Sequence, residues 1–131
     1  MENKQLVAVY GSLRKDEGNH SLLERENANY IDTVELPSEY TLFSLGSFPG
    51  VHLGGENPLT IELYEVDEST LLGPLDFLEG YDPDAMFPEQ NFYNRVQIDT
   101  EHGKAWLYIY NGQQGEPITH GDWSKYLREL N

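Results

Sequence analysis

Two short segments of this chain hold residues whose types and spacing suit chemistry. The first is Tyr10-Gly11-Ser12-Leu13-Arg14, placed where an apolar run, Leu6-Val7-Ala8-Val9, ends. Gly11 has no Cβ, so the backbone there can take positive φ and admit a ligand to the main chain. The N–H groups that follow would then converge on a carboxylate or an oxyanion. The second segment runs Leu75-Asp76-Phe77-Leu78-Glu79-Gly80-Tyr81-Asp82-Pro83 and is followed by Tyr93-Asn94-Arg95-Val96. It brings a carboxylate, Glu79, to the end of a short apolar element. In the last turn of a helix a carboxylate faces the negative end of the macrodipole, unfavourable by roughly 0.3–1 kcal/mol. If Glu79 also borders an apolar pocket of Leu13, Phe77, Tyr81 and Tyr93, both effects favour its protonated form and lift its pKa toward the range of a general base. Each segment also has a plain structural reading, as an ordinary turn and as a solvated glutamate beside a glycine cap.

Other chemistries find less support. The chain has no cysteine, which excludes a disulfide framework, a thiolate nucleophile and a Cys-based metal site. His20, His52, His102 and His120 are widely separated and show no ligand spacing, so they read as surface or hydrogen-bonding residues. Ser12 and Ser47 lie in no Gly-x-Ser-x-Gly elbow.

Taken together, the segments resemble the γ-glutamylcyclotransferase-like superfamily, in particular its AIG2-like branch. The resemblance includes Leu45-Gly46-Ser47-Phe48-Pro49-Gly50-Val51, the run Ala105-Trp106-Leu107-Tyr108-Ile109-Tyr110, and Ile118 with Gly121-Asp122-Trp123. It implies cyclisation of a γ-glutamyl amine or γ-glutamyl amino acid to 5-oxoproline, with Glu79 as general acid/base and no metal or cofactor. Tyr10, Gly11, Ser12, Leu13, Arg14 and Tyr93 would bind the substrate. Arg14 would either balance substrate charge or pair with a surface carboxylate. Arg95, two residues from Tyr93 on the same strand face, would hold Tyr93 or Glu79 or else form a salt bridge on the outside. A non-catalytic module of the same fold, binding a small carboxylate or amine, is the first alternative, and hydrolysis or acyl transfer on an unrelated amide in the same pocket is the second.

The elements needed to position these residues can be read from pattern. Leu6 to Tyr10 reads as a buried strand, His20 to Glu26 as a short helix, and Tyr30 to Leu36 and Tyr40 to Leu45 as two strands. Leu59 to Val66 alternates as a strand should. A helix follows, with Pro74 near its start or in its first turns and Gly80 as its C-terminal cap. Residues 82–92 form a surface loop that covers a site. Tyr93 to Thr100 and Lys104 to Asn111 make a hairpin, and Asp122 caps a last helix. Strands outnumber helices without regular βαβ alternation, so the class is α+β with a mixed, barrel-like sheet.

At 131 residues the chain fits one domain, residues 1–131. Its net charge of −15 repels phosphate backbones and anionic lipid, so neither nucleic acid nor membrane is expected as a partner. The same field favours a zwitterionic or cationic γ-glutamyl compound over a strongly anionic one. The N-terminal residues show no leader pattern and no apolar run is long enough to span a bilayer, which predicts a cytoplasmic protein. The oligomeric state is left open.

Overall fold

A computed structural model of the protein describes residues 3–130, in which seven strands join in one sheet. They are β1 (Lys4–Val9), β2 (Asn29–Ser44), β3 (Pro49–Leu53), β4 (Asn57–Asp67), β5 (Tyr93–Thr100), β6 (Gly103–Tyr110) and β7 (Glu116–Pro117). Their order is β3-β2-β4-β1-β6-β5, with β7 added against β2. The β1–β6 pair is parallel and the others are antiparallel, so the sheet is mixed.

Central β1 is covered on both faces, which explains its unbroken apolar sequence. Val7 and Val9 pack with Leu23, Leu71, Leu75 and Tyr108 beneath the helices. Ala8 and Tyr10 face the opposite way, into a core shared with Leu42, Ile61, Leu107 and Trp123. That second core fills the inside of a curled half-barrel.

The curl depends on β2, which is one strand where the sequence pattern suggests two. Its first part pairs with β4 and its last part with β3 and β7. Between Leu36 and Tyr40 the register with β4 shifts, at Pro37 and Ser38. Proline cannot donate to a ladder but is tolerated at a bulge, so the strand bends there without leaving the sheet.

The helix after β4 is not a regular α-helix. It is built of Glu68–Thr70, a π-helical turn Leu71–Leu75 and Asp76–Leu78. Pro74 lies in the first turns of the helix but past its start, within the π segment. The π turn interrupts the regular backbone ladder, and a residue with no N–H is less costly there. The helix ends as Gly80 predicts. Gly80 has φ +65°, its N–H donates to Phe77 O at 3.2 Å, and Tyr81 N–H donates to Asp76 O at 2.9 Å. This double closure is the Schellman pattern, and it fixes the direction in which Glu79 leaves the helix. Near the end of the chain, Asp122 accepts from Lys125 N–H at 3.0 Å and caps the helix Trp123–Glu129.

Candidate active site

At the end of β1 the chain enters a cavity of about 270 Å³ whose lining includes Tyr10, Gly11, Ser12, Leu13, Glu79 and Tyr93. The loop after β1 turns its carbonyls away from that space. Gly11 O accepts from Arg14 N–H at 3.0 Å, and Ser12 O accepts from Asn19 N–H at 2.7 Å. Leu13 O lies 2.9 Å from His20 Nδ1, and Asn19 Nδ2 donates to Ser12 Oγ at 2.9 Å. Among the described residues, the N–H groups of Gly11, Ser12 and Leu13 have no protein acceptor. The result is a backbone concavity of the kind that holds anions.

Gly11 serves this cradle for a different reason than the sequence suggests. Positive φ is found at five other glycines but not at Gly11. What requires glycine is close approach, since a Cβ at this position would lie 2.7 Å from Pro49 Cγ. Gly11→Val should therefore push the cradle and Pro49 apart, with an overpacking cost of about 1–3 kcal/mol. The expected result is a folded protein whose affinity for 5-oxoproline falls about tenfold or more, the equivalent of about 1.4 kcal/mol. Calorimetric titration beside a melting curve checks it, and parental affinity would remove the cradle from ligand binding.

Glu79 faces this concavity from the helix end. It is half-buried, and no side-chain hydrogen bond reaches its carboxyl among the described residues. Burial, and secondarily the charge of Asp76, raises its pKa to about 7. The apolar wall is the expected one in part, since Leu13 and Tyr93 line the cavity. Phe77 is 87% exposed and Tyr81 lies beneath the Arg95 guanidinium at 4.9 Å, so neither lines the cavity. Pro49, Leu78 and Phe92 provide apolar surface in their place.

The two tyrosines are held by the backbone. Tyr10 OH donates to Tyr108 O at 2.7 Å and Tyr93 OH donates to Pro49 O at 2.5 Å. Burial first, and then neighbouring charge including Glu79, raises both hydroxyls well above their ordinary value, so they stay protonated. They act as struts of the cavity wall.

Asp76, which the sequence reading passed over, is 2% exposed one helical turn before Glu79. Arg95 reaches it with Nε at 2.9 Å and Nη2 at 3.1 Å, and Tyr108 OH donates to it at 2.6 Å. The Arg95 guanidinium is stacked against Trp106 at 4.4 Å as well as Tyr81. Arg95 thus holds Asp76, not Tyr93 or Glu79. A charged residue between Leu75 and Phe77, in an otherwise apolar segment, was the available signal. Asn19 was also missed, because its role depends on the fold of the loop.

Arg14 does not line the cavity. It is 7% exposed, with Nε 2.8 Å from Glu62 and Nη1 2.8 Å from Asp122. Glu62 also accepts from Lys15 N–H and Tyr64 OH. The buried Glu62 carboxylate accounts for this position, because an unpaired charge there would be costly. Of the two roles open to Arg14, the structure shows the ion pair, and it ties the cradle loop to β4 and the last helix. Among the described residues no cluster of three or more His, Asp or Glu side chains is arranged to hold a metal. No helix among them is long and apolar enough to cross a membrane.

The curled mixed sheet, with a backbone concavity at the end of β1 facing a helix-end carboxylate across a cavity, defines a class of small α+β protein. The description "Gamma-glutamyl cyclotransferase, AIG2-like" belongs to a family model that matches residues 7–125. The chain belongs to this family. A Vibrio cholerae relative, described as a candidate γ-glutamylcyclotransferase, is 37% identical over 92% of this chain and 96% of its own. The Escherichia coli K12 γ-glutamylcyclotransferase family protein YtfP is 32% identical over 89% of this chain and 94% of its own. Among solved structures, a Pyrococcus horikoshii protein superposes with a TM-score of 0.75 at 26% identity, covering 96% of this chain and 95% of that one.

Proposed function

We propose that the protein is a γ-glutamylcyclotransferase-type enzyme that converts a γ-glutamyl amide to 5-oxoproline and a free amine. The observation that carries this reading is the juxtaposition, in one cavity, of Glu79, its pKa raised to about 7, with three N–H groups, none of them paired among the described residues. The names of the relatives, γ-glutamylcyclotransferase family proteins, support it.

The substrate enters with its α-ammonium toward Glu79 and its α-carboxylate or γ-carbonyl oxygen at the cradle. Glu79 takes a proton from the ammonium. The freed amine attacks the γ-carbonyl carbon, closing a five-membered ring, and negative charge collects on the carbonyl oxygen. Donors aimed at such an oxygen are worth roughly 3–4 kcal/mol each in other acyl-transfer sites. Collapse breaks the original amide C–N bond. Two protons leave the α-nitrogen and two reach the departing nitrogen, so a single carboxyl that alternates between acid and base completes the transfer. A pKa near 7 suits both halves of that task. The walls hold the substrate curled, which supplies the proximity contribution.

The test is to incubate the purified protein with a panel of γ-glutamyl compounds and measure 5-oxoproline by mass spectrometry. Release of 5-oxoproline with an equal amount of amine is the expected result. No turnover across the panel, with 5-oxoproline still bound, would leave a small-molecule binding module of the same fold.

A further inference from the structure

The residues around the cavity differ by side. Deep inside, Tyr10, Leu13, Pro49 and Tyr93 are buried. At the outer end the lining residues other than Glu79 that reach solvent fall into two groups. One is the polar cradle side, with Ser12 and Asn19. The other is apolar, with Phe48, Leu78 and Phe92. Phe48 and Phe92 stand ring to ring at 5.6 Å, with planes tilted by 48°. Phe92 continues the contact to Tyr93 at 5.3 Å and Tyr110 at 5.4 Å, so the collar is anchored to the core. Its backbone is also held, with Phe92 N–H donating to Gly80 O at 3.1 Å and Asn111 N–H donating to Phe92 O at 3.2 Å. Phe92 is nonetheless 49% exposed and Leu78 37% exposed. These apolar side chains are held in place at the mouth while remaining open to an incoming group.

Among the described residues the lining contains no Lys, Arg or His, and its one carboxyl is Glu79. Resting on the proposed cyclisation, we infer that the collar of Phe48, Leu78 and Phe92 selects the amine half of the substrate. That half is an amine that bears an aromatic ring and no carboxylate, and not an amino acid. The glutamyl half needs the N–H groups of the cradle and the base, so the departing half extends toward the opposite, apolar lip. A ring there gains offset or edge-to-face packing on Phe48 and Phe92. A carboxylate at the same place would lose water without meeting a cation, within the field of a chain of net charge −15.

Two probes that differ by one carboxylate test this: γ-glutamyl-phenethylamide and γ-glutamyl-phenylalanine. Binding is measured by calorimetry on the Glu79→Gln protein, which keeps both probes intact, and turnover is measured on the parent. The amide is expected to bind about tenfold or more tightly than the amino acid conjugate. In Phe92→Ala, affinity for the amide should drop about fivefold or more with the melting temperature little changed, because the side chain is half exposed. In Phe92→Arg the added cation should bring the carboxylate-bearing probe level with the amide or ahead of it. Equal affinity of the two probes for the Glu79→Gln protein, or no binding of either, overturns the collar assignment. Selective binding without 5-oxoproline release by the parent keeps the collar and removes the proposed reaction.

Discussion

Glu79→Gln is expected to fold and to lose cyclisation by roughly 10²–10⁴. Glutamine preserves the size of the side chain but cannot take the ammonium proton or return one to the departing nitrogen. The parent rate should climb with pH through about 7, the raised pKa of Glu79, because the carboxylate is the form that starts the reaction. That limb should be absent from the variant. Stability carries a second signature. A carboxyl whose folded pKa lies above its unfolded value binds its proton more tightly in the folded state. Its contribution is therefore full below about pH 4.3 and is lost as pH rises to about 7. Above pH 7 the parent bears the whole cost of a buried charge, of order 1–3 kcal/mol. Glutamine should accordingly stabilise the fold at pH 8 and have little effect at pH 4. Rates of 5-oxoproline release and urea unfolding midpoints at the two pH values check both halves. Parental turnover in a folded variant would take Glu79 out of the mechanism.

Asp76→Ala should cost about 3–5 kcal/mol of stability, since removing one partner of a buried pair leaves the other charge uncompensated. The uncompensated groups would be Arg95, whose side chain is 7% exposed, and the Tyr108 hydroxyl. Asp76→Asn should cost less, because the amide oxygen can still accept one bond. Its additional effect is on Glu79. Loss of the neighbouring negative charge lowers the Glu79 pKa, so the rising limb of the rate profile should move to lower pH in the asparagine variant. Urea unfolding reads the first effect and the pH profile the second. An Ala variant within 1 kcal/mol of the parent would show that the Arg95–Asp76 pair adds little to stability.

Local chemistry made much of the fold legible. The apolar run of β1, the alternation of β4, the capping glycine Gly80 and the capping Asp122 all act within a few residues of their own position. What the sequence concealed depends on distant partners. Asp76 is separated by 19 and 32 residues from the Arg95 and Tyr108 groups that bind it, and Arg14 by 48 from Glu62. No local pattern distinguishes a buried ion pair from a substrate contact when the partner is that far away. Phe77 and Tyr81 were expected at the cavity because they flank Glu79. The helix phase turns Phe77 to solvent and leaves Tyr81 against Arg95. Similarly, Pro37 looks like a break between two strands until a bulge in the middle of one strand absorbs it. The cradle was legible in place but not in cause, since the nearness of Pro49 to Gly11 arises from the curl of the sheet.

The π turn at Leu71–Leu75 has a consequence for how this site can change through descent or design. Such a turn amounts to one residue inserted in an α-helix, and each helical residue turns the chain by about 100°. Asp76 and Glu79, which come after it, therefore face directions set by the length of the preceding segment as well as by their own identity. Deleting one residue from the turn would restore a regular helix and rotate both carboxyls away from Arg95 and the cavity, with every proposed site residue still in the sequence. Aligned by residue identity alone, a chain so shortened would look intact. Its register would disclose the lost site.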